Sequence, residues 1–466
     1  MIRKGFRRTE SSEGRRCRRQ RWGWKGNTCM SMRLEGSVRG FHDTQKATGS
    51  FMEKPLGRSR LAFGLALSCL TSELAAGRSP RAMLRTTVML LGCAGLACSS
   101  TPPAPPPPKP RWLGFQEAST THSAGGGQAR GLHAADVSGD GIPDLVLIAA
   151  AEEQVSILEG TGGGAFGAPH SLAAGTTPMD VALTDIDRDG HQDLLIVGHF
   201  ANALTVRLGR GDGAFQEAVS YSLGNHSQRV QVADLDADGN LDVMTKNAGS
   251  AGFFNVTLLA GRGDGTFGEA RPHSVTGLPR DLLIADVNQD GVPDVLVLNT
   301  NSFTVDVLLG QRGGPLRAVA SHLLGGTGDD EPFRFATLDV NGDARVDLVI
   351  SHGLGASGYL SVHQGDGRGG FTATSRIPVD EPGELVAADF NQDGKPDLAL
   401  TSFSGGVFLL LGKGDGTFEA PERVASGAPP TSLLAADLNA DGFPDLAWTT
   451  QDTVEVLLGV TTPVQP

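Results

Sequence analysis

A nine-residue phrase recurs seven times along this chain, and its period constrains the fold more than any other feature. The copies read DVSGDGIPD from Asp136, DIDRDGHQD from Asp185, DLDADGNLD from Asp234 and DVNQDGVPD from Asp286. They continue with DVNGDARVD from Asp339, DFNQDGKPD from Asp389 and DLNADGFPD from Asp437. Successive first residues lie 49, 49, 52, 53, 50 and 48 apart. A near-constant period of this length marks a repeat architecture in which each unit is one supersecondary element packed on its neighbours.

Positions 1, 5 and 9 of the phrase are Asp in every copy, and position 3 is Asp, Asn or Ser. Alternate oxygen-bearing side chains in a tight loop converge on one point, and hard oxygen donors of that kind suit Ca²⁺. A Gly at position 6 permits the sharp turn such a loop needs. The fifth copy alone has Ala344 there and is expected to be distorted or weak. An EF-hand is excluded: position 12 is apolar or small (Leu147, Ile196), and the flanking DLVLI and DLLIV read as strands rather than helices. A solvated acidic turn accounts for Asp in turns, but not for 23 Asp crowded into seven loops against their own repulsion. Up to seven Ca²⁺ ions are expected.

Charge divides the chain in two. Residues 1–110 hold 20 Lys+Arg and 6 Asp+Glu, a net of +14, which leaves 19 and 46 in 111–466, a net of −27. So acidic a body repels phosphate backbones, and nucleic acid is excluded as a partner. All five cysteines (Cys17, Cys29, Cys69, Cys93, Cys98) precede residue 99, so the body has no disulfide and no thiolate metal site. Residues 1–82 are Arg-rich without periodicity and read as disordered, or as a start assigned too early. Residues 83–98, MLRTTVMLLGCAGLAC, combine a basic residue, a short apolar run and small residues, the pattern of a secretory signal. The ending resembles a bacterial lipobox with Cys98 lipidated, Cys93 being the alternative. The run is too short to be a transmembrane helix. Residues 99–111, with the run TPPAPPPPKP, form a Pro-rich stalk. The expected location is the cell envelope, as a lipid-anchored outer-membrane or cell-surface protein, or alternatively a secreted one.

Within each period the apolar runs are four to seven residues long and closed by Gly, Pro or Asp-Gly, so they read as strands. The sixth unit shows the series: ELVAADF, the Asp loop, DLALTSF, GGVFLLLG, KGDGTF and EAPERVA. Four short antiparallel strands per unit, seven units and no helical stretch describe an all-β, seven-bladed β-propeller. The last unit stops at VEVLLGVTTPVQP without an outer strand, while Phe115–Ala118 near the start repeats Phe215–Ala218. The missing strand therefore sits at the other end, and pairing of the N- and C-terminal strands closes the ring. The propeller is expected over residues 112–460, followed by a 461–466 tail, as a monomer.

Seven DxDxDGxxD loops with LGxGDGxF phrases resemble the FG-GAP/VCBS repeat family, whose best-known propeller is the integrin α-subunit head. The resemblance implies Ca²⁺ ligands at positions 1, 3, 5 and 9, with a backbone carbonyl from position 7 such as Ile142. In this chain those ligands are Asp136, Ser138, Asp140 and Asp144; Asp185, Asp187, Asp189 and Asp193; Asp234, Asp236, Asp238 and Asp242; and Asp286, Asn288, Asp290 and Asp294. The remaining copies supply Asp339, Asn341, Asp343 and Asp347; Asp389, Asn391, Asp393 and Asp397; and Asp437, Asn439, Asp441 and Asp445. The second phrase weakens most between 286 and 338, so strand register is least defined there. The Arg-Gly-Asp tripeptides at 210–212 and 262–264 belong to this phrase, since Lys413 replaces Arg in the same slot. They are turns, with Phe215, Phe267 and Phe418 packing between blades, and not integrin-recognition signals.

The Asp loop joins the first two strands of a blade and the GDG turn joins the last two, so both lie on one face. The other face is built from the variable loops 199–203, 224–228, 246–255, 299–303, 326–333, 352–358 and 402–406, where specificity usually resides. His199, Phe200, Phe254, Asn301, Phe303, His352 and Phe403 are candidate ligand-binding residues there. No nucleophile elbow, HExxH or body cysteine points to catalysis, so no catalytic residue is assigned and an enzyme is not expected. The expected function is a surface-anchored, Ca²⁺-binding adhesion module for a glycan or surface protein. The alternatives are a lyase-like polysaccharide-active enzyme, which would need Lys, Arg, His or Tyr clustered at the centre of that face, and a structural spacer. Lys246 is the only basic residue at a second-strand end.

Overall fold

A computed structural model of the chain describes residues 111–223, 226–247, 255–325, 331–353 and 358–462. The expected signal, Cys98, the stalk as far as Pro110 and Phe254 lie outside the described residues.

Seven four-stranded antiparallel sheets form the blades of a propeller. Blade one comprises Ala129–Ala135, Asp144–Ala149, Gln154–Leu158 and His170–Ala173, and blade two Pro178–Thr184, Asp193–Gly198, Ala203–Arg207 and Val219–Ser222. Blade three holds Ser227–Ala233, Asp242–Asn247, Asn255–Leu259 and Arg271–Ser274, and blade four Pro279–Ala285, Asp294–Asn299, Thr304–Leu309 and Arg317–Leu323. Blade five has Pro332–Leu338, Asp347–His352, Tyr359–Gly365 and Phe371–Pro378, and blade six Pro382–Ala388, Asp397–Ser402, Val407–Leu410 and Glu422–Ala425. Blade seven takes Ser432–Ala436, Asp445–Thr449 and Thr453–Leu457 from the end of the chain and Thr120–Ser123 from its beginning. The closing strand pairs from Thr120 opposite Val456 to Ser123 opposite Thr453. Beside it, Trp112–Phe115 pairs with Gly459–Thr461. Ring closure by both ends therefore stands as the sequence implied.

The first strand of each blade is innermost, and the seven first strands touch one another in a closed circuit. Every second strand is buried on both faces, and its period of two sends alternate residues to two different interfaces. In blade one, Leu145 and Leu147 pack toward blade seven, while Val146 and Ile148 pack toward blade two. Seven apolar clusters result, one per interface between neighbouring blades. Phe267 and Phe418 are buried in two of these clusters, and Phe215 packs against a third.

Blade four, where the repeat phrase is weakest, is nonetheless a four-stranded sheet, with register shifts at Pro279/Asp281 between its first two strands and at Val307/Leu308 between its last two. Its second and third strands, buried along their whole length, pair without a shift from Val295 opposite Leu308 to Asn299 opposite Thr304 although the turn phrase is missing. Blade one, despite its altered GTGGGAF phrase, makes the same Gly–Phe bridge as Gly209–Phe215, Gly261–Phe267 and Gly412–Phe418, and extends it into a small hairpin of Gly160–Gly162 against Ala165–Phe166.

Candidate functional site

Each Asp loop is a self-capped turn at the outlet of a first strand. The position 1 carboxylate accepts the N–H of position 6 at 2.7–2.9 Å in all seven copies. The position 5 carboxylate accepts the N–H of position 7 at 2.7–3.0 Å. Position 9 opens the second strand with its side chain buried. Its two oxygens take the N–H of position 2 and the N–H of a glycine at or just past the end of the third strand, at 2.7–3.0 Å. Burial pushes the carboxyls of Asp193, Asp242, Asp294, Asp397 and Asp445 up to about 6.

Two loops bring three carboxylates together: Asp185, Asp187 and Asp193, and Asp234, Asp236 and Asp242 each place one oxygen within 4.8 Å of the others. Burial, followed by neighbouring Asp charges, raises the pKa of Asp187 and Asp236. All-oxygen donors converging around one point fit a hard divalent cation. Here positions 1, 3 and 9 form the group, while Asp189 and Asp238 turn toward the N–H groups of His191 and Asn240.

The fifth loop is not distorted by Ala344. It keeps the full bond set, with Ala344 N–H on Asp339 at 2.7 Å, and takes up the difference in the backbone at φ 64°. Left-handed backbone disfavours any side chain. Ala344→Gly is accordingly expected to stabilise the protein by about 0.5–1 kcal/mol, measured by urea unfolding.

On the opposite face, the starts of the first strands surround a cavity of about 750 Å³ at the ring's centre. This size is typical of small-ligand sites. Counting back from the first Asp of each loop, the residues six and five places earlier supply most of its wall, Asp281 and Gly383 being the exceptions. These slots supply Arg130 from blade one, Arg229 from blade three, Arg280 from blade four and Arg334 from blade five. Lys246, from the second strand of blade three, joins them. Arg229 lies 3.4 Å from Asp281 and 3.9 Å from Asp180, and Arg334 bonds Glu384 at 2.7 Å. Asp281, then Asp180 and Glu384, hold the Arg229 pKa above its ordinary value against the cost of burial. Burial, reinforced by Arg334, Arg229 and Arg280 against the pull of Asp281, lowers the Lys246 amine to about 7. Arg280 and Arg334 both stack on the Phe333 ring, at 4.3 and 4.5 Å. Phe333 meets Phe403 edge-on at 4.9 Å.

Of the candidate ligand-binding residues, Phe403 lines this cavity. His199 and Phe200 form a separate cluster with His226, whose Nδ1 is 3.0 Å from His199 Nε2. Phe200 is 65% exposed. Asn301 accepts the Leu278 N–H and Phe303 sits at φ 53°, both as parts of their own loop. His352 does not reach the surface: it is 1% exposed and stacked on Tyr359 inside blade five. The arginines of the inner strand starts were not singled out from sequence. The signal was present at a fixed distance before each Asp loop, but there it reads as the first residues of a strand.

The sequence profile described as FG-GAP-like repeat matches residues 136–196, 185–245, 286–350, 339–400 and 389–448, more than half of the chain. A search of curated proteins finds no match. Among solved structures, BBS1N, crystallised in complex with ARL6DN, is 11% identical, with 75% of this chain and 98% of that one covered at a TM-score of 0.53. An Agrocybe aegerita lectin that recognises non-reducing terminal N-acetylglucosamine is 18% identical, covering 72% and 86%, at 0.49. Virginiamycin B lyase from Staphylococcus aureus is 13% identical, covering 73% and 100%, at 0.48.

Proposed function

Because the chain belongs to the FG-GAP-like repeat family, we propose that it is a Ca²⁺-binding propeller serving as a recognition module for a glycan or a surface protein. The central cavity on the face opposite the Asp loops is its binding site, and Cys98 carries its lipid anchor at the cell surface. The observation that carries this reading is the cavity itself. Residues of several successive blades converge on one polar and aromatic hollow, held by a ring whose walls are closed sheet. The Asp loops, at the far ends of the same inner strands, supply rigidity rather than ligand contact. Their carboxylate groups would hold the ions.

Ion binding has its own test. With Kd of 10⁻³–10⁻⁴ M, Ca²⁺ at about 1 mM adds roughly 0.4–1.4 kcal/mol per occupied site. Several sites together are expected to raise the melting temperature by several degrees, and EDTA to reverse it. A melting temperature indifferent to EDTA, with no calorimetric Ca²⁺ uptake, would show the loops to be metal-free turns. For the binding site, the full chain is offered to glycan and surface-protein panels beside Met179→Trp, which narrows the cavity. Retained binding by this variant would move the site elsewhere.

One observation favours a second reading, a lyase-like enzyme. Lys246 and four arginines form the kind of basic cluster that such chemistry needs, although no His or Tyr lines the cavity among the described residues. Appearance of unsaturated, ultraviolet-absorbing ends on an acidic polysaccharide would establish it.

A further inference from the structure

The cavity holds more cation than its own carboxylates neutralise. Residues 111–466 contain 19 Lys and Arg against 46 Asp and Glu, yet five of those cations line this one hollow. Asp180 and Asp281 are engaged by Arg229, and Glu384 by Arg334. Among the described residues, Arg130, Arg280 and Lys246 have no carboxylate within salt-bridge distance. Arg130 donates instead to the Gln128 carbonyl and amide oxygens and to Met179 sulfur. Lys246 Nζ donates to the Arg280 carbonyl at 2.8 Å, and Arg280 Nε is buried without a hydrogen-bond partner. Burial lowers the pKa of all three groups. Bringing like charges together in a half-dry site is unfavourable unless an anion joins them.

The rest of the wall narrows the kind of anion. Phe403 is 37% exposed beside Phe333, and Pro429 and Pro430 continue the apolar side of the cavity. Cations next to flat apolar surface match a molecule whose charged group is fixed to a rigid ring with an apolar C–H face. An acidic peptide offers the charge without the ring. A nucleic acid offers both but brings a long anionic backbone toward a body of net charge −27.

We propose that the central cavity is a receptor for an acidic glycan, a saccharide bearing carboxylate or sulfate. Its anion sits at the corner formed by Lys246 and Arg280, its ring lies against Phe403, Pro429 and Pro430, and Arg130 meets a second charge across the ring. The proposal rests on the cavity being the binding site.

The test is calorimetry on the full chain with Ca²⁺, using trigalacturonate and a chondroitin sulfate tetrasaccharide as acidic probes and galactotriose as the neutral control. At least one acidic probe is expected to bind about tenfold or more tightly than the control, with affinity falling as salt rises. Arg130→Met with Arg280→Met keeps the apolar stems. This double variant should lose that preference while its melting temperature stays level or increases, which a merely structural pair of arginines would not do. Raising the pH from 6 to 8 should weaken binding several-fold, because Lys246, facing Arg229, Arg280, Arg334 and Asp281 and with His199 close enough to feel its charge, sheds its proton over that range. Lys246→Met should remove that pH dependence.

Equal binding of acidic and neutral probes, or a double variant that keeps the preference, overturns the acidic class and leaves the cavity as a binding site. Failure of both acidic probes to bind also overturns it. Capture of an acidic peptide or surface protein that Met179→Trp abolishes would then leave the general reading standing. Binding of an acidic probe that Met179→Trp does not affect overturns both.

Discussion

A chain lacking residues 112–124 is expected to lose its cooperative thermal transition and to aggregate. Deletion removes the outer strand of blade seven and leaves Thr453–Leu457 as an open edge. It also removes Trp112 and Phe115, which pack edge-on at 5.6 Å against each other, and Phe115 again at 5.7 Å against Phe390. The fully buried Ala124 goes with them. Each of these half-buried aromatics contributes about 1–2 kcal/mol by burial, and an exposed edge invites pairing with other chains. The structure also supplies the rescue. Arg111 N–H donates to Thr462 Oγ1 at 2.8 Å, so the two ends of the paired segment adjoin. A permutant that begins at Gly125 and joins Thr462 to Arg111 through a short Gly-rich turn is expected to melt as the parent does. Circular dichroism and light scattering on the three chains decide the matter. A stable, monomeric deletion variant would mean that blade seven does not depend on the N-terminal strand.

Asp397→Ala and Asp393→Ala are expected to behave very differently, although both residues belong to one loop. Asp397 is fully buried and accepts the N–H groups of Phe390 at 3.0 Å and Gly412 at 2.7 Å. Removing it strands two buried donors, at a cost on the order of 3 kcal/mol. That loss should appear with or without Ca²⁺. Asp393 is exposed, accepting the Lys395 N–H at 3.0 Å with the Lys395 ammonium 3.4 Å away. Its loss should cost less than about 1 kcal/mol in EDTA and more when Ca²⁺ is present. Equilibrium urea unfolding in both buffers separates the two roles. Equal losses for Asp393→Ala in both buffers would remove position 5 from the ion site.

The contrast shows how far the repeat could be read before the structure. Invariant Asp at positions 1, 5 and 9 suggested one purpose, ion ligation, for all three. In the structure position 9 is also the hydrogen-bonded link between the first turn and the third strand of every blade. That second role leaves no trace in one unit, because its partners are backbone N–H groups carried by any residue. Blade number, strand order and closure were legible because period, turn residues and the FQEA segment that leads into an outer strand are local patterns. His352 was misplaced for the opposite reason. Its environment is set by a cross-strand neighbour, Tyr359, whose register depends on a turn of variable length. The cationic cavity is not legible in the sequence because Arg130, Arg229, Arg280 and Arg334 are far apart along the chain and meet only when seven inner strands form a circuit.

The seven-residue inner strand thus divides labour along its length. Its exit is bound by the demands of the Asp loop, which seven duplicated units satisfy in the same way. Its entrance answers only to the neighbouring blades, through pairs such as Arg229 with Asp180 and Asp281 or Arg334 with Glu384, and there the units have diverged into Arg, Met, Gln, Phe, Gly or Thr at one slot and Gly, Asp, Arg, Glu or Ser at the next. A ring built this way resembles a combination lock: each blade turns one wheel of the keyhole without disturbing the hinge. Recognition in such a molecule can drift blade by blade, through single substitutions at strand entrances, while the scaffold and its loops remain as they are.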